Sequence, residues 1–172
     1  MRSLAITWTL PGRGWALVKV ADDHGEAEVL ASYVTDGPER FLYAVARLVL
    51  GDPETRAELE GEPQVHRWYF RRDGSEVGIR LVVADDTRAP DGSGTVLWSG
   101  RHTITALARS AVRAFDQVAH EWGEEAYAAQ WGRPFPRTEL AALRTAMRAH
   151  ARGRAPGSHV RAVAPPPGAT SA

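Results

Sequence analysis

The chain has 172 residues, the size of one domain that buries about two thirds of its unfolded surface. Its 21 basic and 21 acidic residues cancel, which argues against a dedicated nucleic-acid binder, and no apolar run approaches the roughly 18 residues of a membrane span. With no cysteine, disulfides, thiol catalysis and Cys-ligated zinc are excluded; this and an opening without signal-peptide pattern predict a cytoplasmic protein.

Ser3–Leu10 alternates Leu4, Ile6, Trp8 and Leu10 with small or polar residues and predicts a strand. Pro11-Gly12-Arg13-Gly14 is turn chemistry, so Trp15–Val20 returns as a hairpin. After a turn at Asp22–Gly25, Glu28–Val34 predicts a third strand. Asp36 is placed as the cap of a helix with Pro38 in its first turn and Glu39 three residues on; Phe41, Leu42, Val45, Leu48 and Val49 form its apolar stripe and Gly51 ends it. Residues 52–64 read as an acidic loop.

Val65–Arg72 and Glu76–Ala84 flank Asp73-Gly74, the strongest hairpin signal in the chain. His66, Trp68 and Phe70 share one face of the first of these strands; Arg67, Tyr69 and Arg71 share the other. Residues 85–94 are a polar loop, and Thr95–His102 predicts a sixth strand. Thr105–Trp122 is the best helix, with Leu107, Ala111, Phe115, Val118 and Trp122 on one stripe. Gly123 breaks it before a short helix over Glu124–Trp131, and Thr138 is placed as the cap of a last helix to about His150. The order βββα–βββα–αα predicts an α+β fold: a mostly antiparallel sheet of about six strands with helices on one face. It forms a single domain over 1–150 and ends in a disordered basic tail over 151–172. All 21 acidic residues fall in 1–150 against 18 basic ones, so the body carries −3 and the tail +3.

Catalytic motifs fall short. Gly12-Arg13-Gly14 with Lys19 sits between strands and lacks the Gly-Lys-Ser/Thr of a phosphate loop. Asp116, His120 and Glu124 lie four apart but read as a solvated helix face rather than a metal site. Ser93 has loop composition and no nucleophile-elbow context. The prediction is a chain without catalysis, cofactor or metal.

Binding surfaces are better supplied. Arg67, Arg71, Arg72 and Arg80 are placed with Tyr69 on an open sheet face suited to an acidic protein partner or a phosphate backbone. Trp122, Tyr127, Trp131 and Phe135 crowd 15 residues and make a candidate docking surface. Arg13 and Trp15 at the first hairpin, Glu58, Glu60 and Glu62, and Asp85, Asp86 and Asp91 are the remaining candidate contacts.

Trp8 in the first strand, Pro-Gly-Arg-Gly-Trp15, Ser32-Tyr33 and the Asp36 cap, His66-Arg67-Trp68 before the Asp-Gly hairpin, Gly123-Glu-Glu-Ala-Tyr127, Trp131-Gly and Pro134-Phe-Pro136 together resemble a family of small bacterial α+β proteins with no assigned activity. The resemblance covers about 1–146. Such compact proteins are loosely similar in size and architecture to bacterial toxin-immunity proteins. The resemblance implies no functional residue. It adds to the first expectation, a cytoplasmic, non-catalytic domain that binds and occludes another protein. The alternatives are a small-molecule or nucleotide binder with a concave sheet face lined by His66, Trp68 and Phe70, and an RNA-binding face through Arg67, Tyr69 and Arg71.

Overall fold

The computed structural model describes residues 3–154. Strands β1 (Ala5–Gly12), β2 (Trp15–Asp22) and β3 (Gly25–Ser32) precede helix α1 (Gly37–Leu50). Strands β4 (Glu54–Glu60), β5 (Val65–Asp73), β6 (Glu76–Ala84) and β7 (Thr95–Thr103) follow, then helices α2 (Ile104–Trp122), α3 (Glu124–Trp131) and α4 (Arg137–Gly153). The α+β class and the antiparallel pairing hold. Among the described residues the strands number seven and divide into two meanders, β1-β2-β3 and β4-β5-β6-β7.

The additional strand is β4, in the stretch expected to be an acidic loop. Thr55, Ala57 and Leu59 face inward, but two of them are small or polar, and four charged residues alternate with them. The strand is held by pairing rather than by apolar content: its whole length pairs with β5, and Thr55 Oγ1 donates to the Ala44 carbonyl of α1 at 2.9 Å. β3 begins and ends earlier than the expected 28–34, because Asp22 pairs with Gly25 across a two-residue turn.

Two helix starts also differ from expectation. Asp36 makes no side-chain cap and instead meets Arg40 one turn on, at 2.5 Å. Thr138 lies inside α4, whose N-terminal flank is Pro136, again without a side-chain cap. α4 runs to Gly153, so the helix takes the first residues assigned to the tail; the rest of that expected disorder, 155–172, lies outside the described residues.

One core joins both sheets to the helices. Its axis is a chain of aromatic rings. Trp8 of β1 lies 5.0 Å from Phe115 of α2 and 6.1 Å from Phe41 of α1, and Phe41 meets Trp68 of β5 edge-on at 5.3 Å. Truncating one such buried ring to alanine costs about 3–5 kcal/mol. His66, Trp68 and Phe70 therefore do not line an open cleft. Trp68 is 0% and Phe70 1% exposed, because α1 fills the concave face. That correction removes the expected ligand site on this face.

The sheets also meet through a buried polar joint. His102 of β7 shares a 2.9 Å hydrogen bond, Nε2 to Oδ2, with Asp22 of β2, and both side chains are 1% exposed. Trp98 stacks on the His102 ring at 6.2 Å, and its Nε1 donates to the Gly25 carbonyl at 3.3 Å. Gly100 is required beside this joint, since a Cβ there would come within 2.7 Å of the Trp98 ring and 3.0 Å of Asp22 Oδ2. Among the described residues, no helix is long and apolar enough to cross a membrane.

Candidate functional site

Strand register decides what the outer face of the β4–β7 sheet presents. Arg56, Tyr69, Arg80 and Ser99 form one cross-strand row; Glu54, Arg71, Gly78 and Arg101 form the next. Gly78, two residues from Arg80 on β6, and Ser99, opposite Arg80 on β7, present little side chain to this face, leaving an open trough of about 760 Å³. The larger side chains of Glu54, Arg56, Tyr69, Arg71 and Arg80 stand around this low ground and make the concavity.

The 85–94 loop closes one side and consumes several expected contacts. Arg67 is 3% exposed. Its Nε donates to Glu58 Oε2 at 2.8 Å, and its two terminal nitrogens donate to the Pro90 and Ala89 carbonyls at 2.9 Å each. The Glu58 carboxylate pushes the guanidinium up, so Arg67 remains charged while buried. It is a clamp on the loop and reaches neither RNA nor a partner, which corrects its expected place on an open face. Arg72 also leaves that face. It alternates to the inner side and donates to the Leu48 carbonyl at 2.6 Å.

Tyr69 remains at the trough. Its hydroxyl donates to Asp91 Oδ1 at 2.8 Å and accepts the Gly92 amide at 2.9 Å. Asp91 also pairs with Arg56 at 2.5 Å. The Tyr69 hydroxyl, aided by Arg56, holds the Asp91 carboxyl below the usual carboxylate range. Arg71 and Glu54 are exposed partners at 3.5 Å, and Arg101 is held by Asp73 and Glu76. Arg80 differs from these: its guanidinium lies 5.2 Å over the Tyr69 ring and, among the described residues, meets no carboxylate. Of the other two aspartates placed as contacts, Asp86 accepts the Arg88 and Ala89 amides and so shapes the loop; Asp85 is exposed beside it.

The aromatic segment resolves differently. Tyr127 and Trp131 are 0% exposed and belong to the core, which corrects their expected docking role. Trp122 and Phe135 are half-buried and pack on that core; Phe135 meets Tyr127 edge-on at 5.2 Å. This segment meets the first hairpin. The Gly14 amide donates to the Gln130 carbonyl at 2.8 Å, and the Tyr33 ring lies between Gly14 and Gly132. Arg133 donates to the Tyr33 and Val34 carbonyls. Arg13 is exposed at that turn and Trp15 half-buried, on the other sheet and apart from the trough.

Asp116 and Glu124 are taken by Arg144 and Arg137 of α4, and no cluster of three or more metal-ligating side chains occurs among the described residues. No family model, no curated protein and no solved structure matches the chain.

Proposed function

We propose that the chain is a non-catalytic protein-binding domain and that its contact surface is the trough on the outer face of the β4–β7 sheet. One observation carries this reading: Arg80, a cation without a carboxylate, stands at the centre of an open concavity beside an aromatic ring. Arg and Tyr are the residue types that dominate interface energetics. A partner carboxylate on Arg80 would gain two parallel charge-assisted hydrogen bonds. The surrounding ion pairs are exposed and cost little to rearrange. Asp91, Glu54 and the arginines beside them would set orientation and encounter rate rather than affinity.

The resemblance to small bacterial α+β proteins supports the more specific role of an immunity or accessory protein of a conflict system in the cytoplasm. The partner is then a toxin, and the mechanism is occlusion of its working surface. The filled inner face also favours surface binding over a small-molecule role.

A native pull-down with the tagged full chain, its Arg80→Glu variant and Arg113→Glu on the exposed side of α2 tests the proposal. The expected result is one stoichiometric protein partner retained by the wild type and Arg113→Glu and lost by Arg80→Glu. Recovery of the partner by Arg80→Glu, or recovery of no protein by the wild type, overturns it.

A further inference from the structure

A second concavity, of about 540 Å³, lies between the end of α1, the start of α2 and the end of α4. Its floor is apolar, formed by Val49, Ile104, Ala108 and Met147. Its rim carries Arg109, Arg148 and Arg154 and no acidic residue. We infer that this groove binds a small amphipathic anion, an acyl chain ending in a free carboxylate, with the chain on the floor and the head group on the rim arginines.

Charge complementarity selects this occupant. Eight arginines elsewhere are ion-paired, from Arg40 to Arg144, and others, such as Arg80 and Arg113, meet no carboxylate among the described residues; the groove brings three unpaired ones to the rim of one apolar floor. None of the three at the groove has a carboxylate among the described residues; Arg148 has only the Thr145 hydroxyl, at 3.0 Å. Every Asp and Glu of the chain lies within the described residues, so no acidic side chain elsewhere is left to neutralise them. Three guanidiniums on one rim without counter-charge make the field there positive, which favours an anion.

Two further features suit an anionic head group. Thr103, Ile104 and Thr105 place the N-terminus of the 19-residue α2 at the groove, where the helix dipole favours negative charge. His150 Nε2 is buried without a partner. Burial, with the charges of Arg72 and Arg154, pushes the His150 imidazole down, so it adds a neutral hydrogen-bonding group rather than another cation. Apolar floor and cationic rim together exclude the simple alternatives. A bare anion leaves the floor wet, and an uncharged chain leaves the arginines unpaired. The volume lies in the range of about 300–1,000 Å³ typical of small-molecule sites.

Met147 supplies the probe. The chain has two methionines, and the other is Met1, so methyl-labelled methionine gives one internal signal at the groove floor. The full chain is titrated with decanoate, acetate and 1-decanol. The expected result is a saturable shift of the Met147 methyl with decanoate, at least tenfold weaker response to acetate and to decanol, and a loss of at least tenfold in affinity in Arg109→Glu/Arg148→Glu. Both substituted side chains are exposed, so the variant folds and its unliganded spectrum verifies this. An unmoved Met147 signal, equal binding of acetate or decanol, or unchanged affinity in the double variant overturns the inference.

Discussion

Replacing Asp22 by alanine removes one half of the joint that links the two sheets. Its partner His102 is 1% exposed, and its Nε2 has Asp22 Oδ2 as acceptor at 2.9 Å. Trp98 stacked on the imidazole and the close approach of Gly100 keep water from taking the vacated place. A buried polar group left unsatisfied costs about 1–3 kcal/mol. The upper end, about 3 kcal/mol, is the expected loss at so enclosed a contact, and at this chain length it lowers Tm by about 6–12 °C. Asp22→Asn keeps the size and one acceptor but gives up the charge, so it is expected to lose about half as much. Urea unfolding followed by tryptophan fluorescence measures both. The pH dependence supplies a second reading. Burial works to raise the Asp22 pKa, but the His24 amide and the His102 imidazole outweigh it and hold the carboxyl below its ordinary value. Asp22 thus adds stability above the ordinary carboxylate range near pH 4, and the contribution disappears as pH falls through the depressed folded value. Asp22→Ala should lack this segment of the acid limb. A loss under about 1 kcal/mol, the size of an exposed pair, would refute the account of the joint as a buried, water-excluded contact.

Gly14 has φ +76°, and a Cβ there would lie 2.8 Å from Tyr33 Cδ1. Gly14→Ala is expected to cost about 1–3 kcal/mol in thermal unfolding, whereas Gly12→Ala, which meets open space, costs well under that; equal losses would contradict the clip between hairpin and helix. Burial pushes the His66 imidazole down, against a hydrogen bond to the Leu30 carbonyl. The unfolded chain then takes up this proton first, and stability falls as pH drops below about 6.5. Urea midpoints at neutral and mildly acid pH should differ more in the wild type than in His66→Gln. Glu39 is raised, chiefly by burial, with Glu139 and Asp36 adding like charge. Its ionised form therefore costs stability above the raised value. Glu39→Gln should raise Tm at pH 7, with the gain fading below the ordinary carboxylate range, and a lowered Tm at pH 7 would contradict this sign.

Local pattern carried most of the fold. Alternation in β1, β5 and β6 and the stripes of α1 and α2 are strong because large apolar side chains recur at one period. β4 escaped because Ala57 and Leu59 are its only apolar residues and charge dominates the rest. The division into two sheets was equally illegible, since alternation along a strand does not record which strands pair, and the joint between the sheets brings Asp22 to His102 across 80 residues. For the site, alternation correctly put Arg67, Tyr69 and Arg71 on one face. It could not tell that a loop 22 residues onward would cover Arg67 and leave Arg80 on that face without a carboxylate among the described residues. Tyr127 and Trp131 show the limit of composition: a cluster of aromatics reads alike whether it is buried or displayed.

The outer strand of an open sheet is a template for a neighbouring chain, and this sheet guards both margins. Along β4, Glu54, Arg56, Glu58 and Glu60 put charge on alternate positions. Along β7, Leu81 faces Trp98 while Val82 faces Val96, so Leu97 is a surplus residue that interrupts the ladder beside exposed apolar side chains. Self-association by strand addition is therefore opposed by charged side chains along one edge and by broken register at the other. Removing Leu97 would restore the register and open the second edge to fibre-like stacking.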